Sequence, residues 1–416
     1  MKIFSDLHIH SRFSRATSKE LNIENLVKYA KMKGLNLLGT GDFTHSLWLK
    51  ELKEDLREDG SGILKSKGGF SFLLSAEVSN IYTQDNRQRR IHNVILAKDF
   101  ETVEQINDWL SKKGRLDYDG RPIFGFTCTE LVENIVGISK DCMIIPAHIW
   151  TPWFSLFGSK SGFDRIEECF QDQTKNIFAL ETGLSSDPEM NWRLSSLDRY
   201  ALVSFSDLHS FWPWRIGREA TVFEMKELTY DNLVKSIRTK EGLVETIEVD
   251  PSYGKYHHDG HRGCGVSLSP EEARNSNNLC PVCKRPLTIG VLHRVEELAD
   301  RDKGFVPKDS KPFRSLIPLS EIISIVLGSP VNSRRVWEEY NKLVNAFGSE
   351  FNVLMEAGRE QLINISNERM VDLILNARSR NIRINAGYDG VYGELVMKED
   401  ETEGLEKPQK TLKDFS

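Results

Sequence analysis

The chain has 416 residues, 39% hydrophobic and 28% charged, with a formal net charge of −6. That length can bury a sizeable core in two or three domains; no stretch approaches the ~20 apolar residues of a membrane span, and the acidic balance counts against binding nucleic acid through bulk positive charge. Six cysteines are too few for a disulfide framework at this size, and with no secretory leader before the first strand, a cytoplasmic protein without membrane association is expected.

Five segments end an apolar run with metal-ligand side chains. The first is Asp6-Leu7-His8-Ile9-His10. In an extended strand, side chains two apart share a face, so Asp6, His8 and His10 are expected on one side, with Leu7 and Ile9 in the core. Ile23 to Lys33 carries apolar residues at helical spacing, and Gly34 stops it. Leu35 to Thr40 then precedes Asp42 and His45, and Phe70 to Leu74 precedes Glu77. His92 opens the run Ile91 to Ala97 instead of closing it, which predicts an antiparallel strand or one entering from the mouth. Met143 to Pro146 leads to His148, and Leu202 to Phe205 leads to Asp207 and His209. Further strands around Ala179 and Val222 bring the count to seven or eight. Apolar strands with ligands at their C-terminal ends predict an α/β chain whose residues 1–240 form a β/α barrel with its chemistry at the C-terminal mouth.

The barrel set is His8, His10, Asp42, His45, Glu77, His92, His148, Asp207 and His209. Mixed imidazole and carboxylate ligation suits zinc, manganese or iron better than calcium. A bridging carboxylate holds two ions ~3.5–4 Å apart, a clamp for both oxygens of a phosphate ester in displacement. Glu77 is the expected bridge, and Asp207, Glu77 and His10 are the residues expected at the reacting centre. Two or three divalent ions are anticipated: zinc, with manganese or magnesium as alternatives.

Composition changes after residue 250. Residues 251–300 contain His261-Arg262-Gly263-Cys264 and Cys280-Pro281-Val282-Cys283. A Cys-x2-Cys knuckle with a distant second pair is a structural zinc signature. His261, Cys264, Cys280 and Cys283 would close a Cys3His tetrahedron, with His257 and His258 competing for the fourth position. Residues 315–397 form an expected helical domain, including Ser333 to Phe347 and Glu368 to Arg378, then a hairpin or loop from Ile384. Residues 398–416 are charged and expected to be disordered; within them Gln409 to Phe415 is a loose match to a sliding-clamp peptide.

Asp6-Leu7-His8-Ile9-His10-Ser11 and the later ligand blocks resemble the PHP (polymerase and histidinol phosphatase) family. Over nearly all of residues 1–395 the chain resembles, more narrowly, the endonuclease Q family. The motifs are Thr40-Gly41-Asp42-Phe43-Thr44-His45, His148 to Phe154, Glu181 to Pro188, Asp259-Gly260-His261-Arg262 and Ala386 to Gly393. The resemblance implies a distorted seven-stranded β/α barrel, a zinc-binding module and a C-terminal helical domain. It implies a DNA repair endonuclease that cuts 5′ of uracil, hypoxanthine, xanthine or abasic sites through a trinuclear metal centre. Two departures bear on that centre: many PHP members have Asp-His where this chain has Asp42-Phe43, and a histidine near position 16, here Ala16.

Damaged DNA, double- or single-stranded, is therefore the expected partner. Loops Trp150 to Phe163 and Phe211 to Arg215 interleave aromatics with cations, and base stacking on such rings is sequence-tolerant. Trp153, Arg193, Trp214, Arg215, Arg218 and Arg262 are the candidate DNA contacts. The alternatives are a small-molecule PHP phosphatase, which leaves the knuckle unexplained, and a PHP-type 3′ exonuclease, which needs a DNA end.

Overall fold

Seven strands carry the N-terminal region: β1 (Lys2–Asp6), β2 (Leu37–Gly39), β3 (Ser71–Gln84), β4 (Arg87–Ala97), β5 (Met143–Pro146), β6 (Ala179–Glu181) and β7 (Ala201–Val203). β1, β2 and β3 are parallel neighbours, and β6 pairs with β7 in parallel. β4 runs antiparallel to both β3 and β5, as the reversed order around His92 predicts. Two links continue the sequence of strands. The Ile149 N–H donates to the Glu181 carbonyl (3.1 Å) just past β5 and β6, and Ile9 and Leu208 form a parallel bridge just past β1 and β7. The strands thereby follow one another in cyclic order.

Each strand contributes to one buried apolar cluster: Ile3, Leu37, Leu73, Val94, Ile145, Ala179 and Val203. Helix α1 (Ile23–Lys33) lies outside the strands. It starts at Asn22, whose side chain accepts the Asn25 N–H, and stops at Gly34 with φ +106. Helix α2 (Tyr230–Thr239) seats Tyr230, Leu233 and Ile237 in the cluster. Apolar packing thus fills the strand interior below the strand ends and leaves those ends for polar groups. Outside β1 lie two antiparallel strands, β8 (Ala220–Glu224) and β9 (Leu243–Glu248).

The structure describes residues 1–396 of the computed structural model; the expected tail at 398–416 and its clamp-like segment lie outside them. Among the described residues, no helix is long and apolar enough to cross a membrane. The C-terminal region is helical, with α3 (Leu319–Leu327), α4 (Arg334–Phe347) and α5 (Glu368–Arg378), followed by a short antiparallel pair, Arg383–Asn385 with Glu394–Val396. One buried carboxylate ties it to the strand region. Glu350 accepts from Lys33 Nζ (2.7 Å), the Tyr340 hydroxyl (2.8 Å) and the Leu319 N–H (2.9 Å). Lys33 also donates to the Pro213 carbonyl (2.9 Å), which anchors the aromatic loop after β7.

Candidate metal centre

The strand ends bring two ligand groups together: His8, His10, Glu77 and Asp207, and Glu77, His92 and His148, with the ligand atoms of each within 4.8 Å of one another. Glu77 belongs to both. Its Oε2 lies 3.2 Å from His10 Nε2 and 3.6 Å from His8 Nε2, while its Oε1 lies 2.6 Å from His92 Nδ1 and 3.3 Å from His148 Nε2. Asp207 Oδ1 faces His10 Nε2 at 3.0 Å and His8 Nε2 at 3.6 Å.

Three of these atoms, His8 Nε2, His10 Nε2 and Asp207 Oδ1, are buried without a hydrogen-bond partner. Buried polar atoms are seldom left unsatisfied, because each one costs ~1–3 kcal/mol. Their convergence is what a divalent cation requires, and imidazole with carboxylate is a donor set for zinc, manganese or iron. The residues present fit a metal centre.

Carboxylates behind the imidazoles set their tautomers. His8 Nδ1 donates to both oxygens of Glu181 (2.9 and 3.0 Å), and His10 Nδ1 donates to Asp42 Oδ1 (2.9 Å). In the neutral, ligating form of each ring the lone pair is thereby on Nε2, facing the centre. Glu181 also accepts the His148 N–H (2.8 Å), so one carboxylate orients two of the histidines.

Three expected ligands fall outside the two groups. Asp42 is in neither group: Oδ2 accepts from the Ser11 N–H (2.6 Å) and the hydroxyls of Ser11 (2.7 Å) and Ser14 (2.8 Å), so its capacity is taken up. Its other oxygen, Oδ1, is the partner of His10 Nδ1. His45 stacks on Phe13 (ring centroids 4.4 Å apart) and is in neither group. His209 packs against His10 (4.7 Å), with Nδ1 on the Asp207 carbonyl (2.9 Å), and also lies outside both groups. Asp6, expected on the face of His8 and His10, is in neither ligand group. β1 ends there, and the carboxylate turns to the N–H groups of Ser206 and Gly217 (2.9 Å each). Burial pushes its carboxyl up to about 6.

Charge balance is local. Burial disfavours charge on His8 and His10, but Glu181 and Glu77 around the one and Asp42 and Asp207 around the other outweigh it and hold both pKa values well above the usual range. Burial would likewise raise Glu77, yet His92, Arg121 and His8 hold it well below the usual carboxylate range. His92 is pulled down to about 4, chiefly by burial.

Backbone conformation marks the same residues. Asp42, His148 and Asp207 have φ of +47, +31 and +47, uncommon away from glycine and a known concentration point at functional sites. Close approach also matters: a Cβ on Gly120 would stand 2.2 Å from Asp42 Oδ2.

Glu181 and Arg121 were missed as site residues. Arg121 Nη1 donates to Glu77 Oε2 (3.0 Å) with its side chain 26% exposed, so it sits at the edge of the cleft. Glu181 ends the run Phe178-Ala179-Leu180 in the same way that the other ligand residues end theirs, and that signal could have found it. Arg121, in a loop, had no local signal.

The second expected cluster also assembles. His261, Cys264, Cys280 and Cys283 place one ligand atom each within 4.8 Å of the others, beside the antiparallel pair Asp259–His261 and Val266–Leu268. Cys280 is drawn down to about 6: burial opposes this, but the N–H groups of Cys283 and Val282 outweigh it. His257 and His258 lie outside the group, their rings stacked 5.4 Å apart.

Of the expected DNA contacts, Trp214, Arg215 and Arg218 share one recess, and Trp153, Arg193 and Arg262 lie outside it. Trp153 meets Tyr256 edge-on (5.7 Å), and Trp214 lies parallel to Trp212 (5.4 Å). Arg215 and Arg218 line that recess with Tyr253 and Glu321. Arg193 lines a shallow one with Asp300 and Asp302, and Arg262 is exposed, its N–H held by Asp389 (2.7 Å).

Fold and site define a mixed α/β protein with a histidine–carboxylate centre at the ends of its central strands. The MJ0043 C-terminal domain family matches residues 318–381. Protein MJ0043 of Methanocaldococcus jannaschii is 32% identical over 259 residues, 61% of this chain and 32% of that protein, so the chain spans about a third of that relative's length. YqxK of Bacillus subtilis is 30% identical over 414 residues, 95% of this chain and 99% of YqxK. The lesion-specific endonuclease Q of Pyrococcus furiosus superposes with a TM-score of 0.85 at 32% identity, over 96% of this chain and 98% of that one. Endonuclease Q bound to a 27-mer duplex with an abasic lesion at the active site superposes with a TM-score of 0.86, at the same identity and coverage. The chain belongs to the endonuclease Q family.

Proposed function

We propose that this protein is a metal-dependent DNA repair endonuclease that hydrolyses the phosphodiester 5′ of a deaminated base (uracil, hypoxanthine or xanthine) or an abasic site, leaving 3′-hydroxyl and 5′-phosphate ends. The carrying observation is the set of buried, unpartnered ligand atoms converging on a carboxylate shared with a second histidine pair. Full-length likeness to a lesion-specific endonuclease, and to one holding an abasic duplex, supports DNA as the substrate. In this reading the seven cyclically linked strands are a distorted PHP barrel, and His261, Cys264, Cys280 and Cys283 hold one structural zinc.

Two or three divalent ions, zinc with manganese or magnesium as alternatives, would supply Lewis acidity and an activated water. His8, His10 and Asp207 would hold one with Glu77, and Glu77, His92 and His148 another. Glu181 and Asp42 keep His8 and His10 in the ligating tautomer. Asp207 is the more accessible carboxylate of the set, 29% exposed against 0% for Glu77, and marks the open side of the centre. Its charge is secured because His209, His10 and His8 outweigh the effect of burial. Its place on the open side of the ligand set makes it the residue to orient the attacking water and take its proton. Arg121 stays about a quarter exposed beside Glu77, and its remaining N–H groups suit a phosphate oxygen.

The test uses 5′-labelled duplexes carrying one uracil, hypoxanthine or abasic site, with divalent metal, against undamaged and chelated controls. A single metal-dependent nick 5′ of the lesion supports the proposal. No nick, with phosphate released from small monoesters, would return the site to a phosphatase.

A further inference from the structure

We infer that the β3–β4 hairpin and the loop from Trp153 to Asp164 form a groove that grips the phosphate backbone of duplex DNA several base pairs from the cleaved bond. This rests on the function proposed above and adds a contact surface to it.

The groove is lined by Arg87, Arg89, Arg90, Trp153, Lys160 and Arg294, with Asp164 as its one carboxylate. Two of the cations build its wall. Arg89 is buried, donating to the Gly162 carbonyl with its guanidinium 4.0 Å over the Phe163 ring. Arg294 is spent on Asp164, Glu297 and the Phe157 and Phe163 carbonyls. The other three are uncompensated. Arg87 and Lys160 are exposed and make no ion pair among the described residues. The Arg90 guanidinium meets the neutral amide oxygen of Gln88 (3.0 and 2.5 Å) and the Phe154 ring (5.6 Å), with no carboxylate. On a chain of net charge −6, such a concentration of free cations in one groove marks the landing site of a polyanion.

Phe154 links the groove to the metal centre. The Phe154 ring packs 4.8 Å from the His92 ring on one side and meets Arg90 on the other. The His92 N–H donates to the Phe154 carbonyl (3.2 Å). Phe154 holds a φ of +62, costly for a bulky residue, with its N–H on the Ser161 hydroxyl (3.2 Å). From His92, β4 runs back to Arg87 at the hairpin turn, where Asp85 and Asn86 take the left-handed conformations of a two-residue loop. Five residues of strand span ~17 Å. Along a duplex that is ~5 base pairs. A substrate cut at the centre would therefore lie across Arg90, Lys160 and Arg87 in its flank. Phosphate contacts of this kind position a duplex without reading its sequence, which suits an enzyme that must accept a lesion in any context.

The experiment compares wild type with the double variant Arg87→Ala/Lys160→Ala, two exposed positions remote from the ligands. Initial nicking rates are read on a lesion duplex well below saturation, from ~50 to ~200 mM salt. Each lost phosphate contact should reduce the slope of log rate against log salt by ~0.9, so the double variant should lose about 1.8. The charge-reversed pair Arg87→Glu/Lys160→Glu should lose more. Trimming the duplex on one flank to ~3 base pairs from the lesion should erase the difference between variant and wild type, while trimming the other flank leaves it. A wild type that nicks, with equal slopes in both variants or with the difference surviving both trims, overturns the groove and leaves the endonuclease standing. A wild type that nicks no lesion duplex overturns both.

Discussion

Replacing Glu181 with Gln tests whether the carboxylate behind His8 sets up the metal centre. Glu181 accepts three hydrogen bonds: His8 Nδ1 reaches both oxygens (2.9 and 3.0 Å), and the His148 N–H reaches Oε2 (2.8 Å). A glutamine keeps one acceptor oxygen and gains an NH2 donor. If its oxygen serves the His148 N–H, the NH2 faces His8 Nδ1 and favours the tautomer whose lone pair points away from the centre. If its oxygen serves His8, the NH2 meets the His148 N–H head-on. Either way one ligand is misdirected, with nearly no change in volume. Loss of such an outer partner typically weakens metal binding by ~10–100-fold, which is ~1.4–2.8 kcal/mol. Competition against a chromophoric chelator reads the affinity directly, and the metal concentration giving half-maximal nicking should move up by the same factor. Excess metal should restore much of the rate, because the nucleophile and the bridge remain. Unchanged metal affinity and an unchanged metal requirement would refute the tautomer argument. A rate lost beyond recovery at any metal concentration would refute it as well, since that would assign Glu181 to the chemistry.

Asp207→Asn should nearly abolish nicking while leaving binding to lesion DNA within a few-fold in an electrophoretic shift assay, because Asn tolerates the left-handed φ of +47 but cannot take the proton. Gly120→Ala should push Asp42 off His10, since the new Cβ would stand 2.2 Å from Oδ2, and metal affinity should fall as in the Glu181 variant without loss of the fold by circular dichroism. Cys280→Ser should lower the melting temperature and remove one equivalent of bound zinc, read by elemental analysis, while Cys142→Ser, at a buried thiol outside both clusters, should leave the zinc count unchanged. Glu248 is buried, its carboxylate accepting from the hydroxyls of Thr182, Ser204 and Thr246, and burial raises its pKa to about 8. The folded state keeps that proton where the unfolded chain has lost it, so its contribution is full below about pH 4.5 and drains away as pH rises toward 8. Glu248→Gln should therefore gain melting temperature relative to wild type across that window; parallel curves would count against it.

Locally encoded elements were legible in the sequence. Helix α1 lies where Asn22 and Gly34 put its ends, and α4 and α5 begin after the caps Ser333 and Asn367. The reversed sense of β4 was legible because His92 opens its apolar run. What one strand's pattern could not give was the allocation of each polar side chain among several partners. Asp6, Asp42 and Glu181 all end strands or stand just past them, as the ligands do. Asp6 is drawn to the free N–H groups of Ser206 and Gly217, far away in sequence. Asp42 is taken by Ser11, Ser14 and His10, and Glu181 by His8 and His148. Ligand and orienting carboxylate share a residue type and a place on the strand, and only the three-dimensional neighbours distinguish them.

The antiparallel β4 explains how one centre serves both chemistry and a long substrate. Parallel strands end at the mouth and deliver side chains there, then turn away into helices. β3 instead continues past Glu77 to Gln84, and β4 returns from Arg87 through Arg90 to His92, so their hairpin projects beyond the ligands. A parallel strand at this position would have delivered one more ligand and no surface. The reversal puts His92, Arg90 and Arg87 on a single rigid element, so their spacing is fixed by backbone hydrogen bonds, while Lys160 is supplied by the facing loop. Mutations that loosen the turn at Asp85 and Asn86 should then disturb the flanking contact while His92 keeps its place beside Glu77.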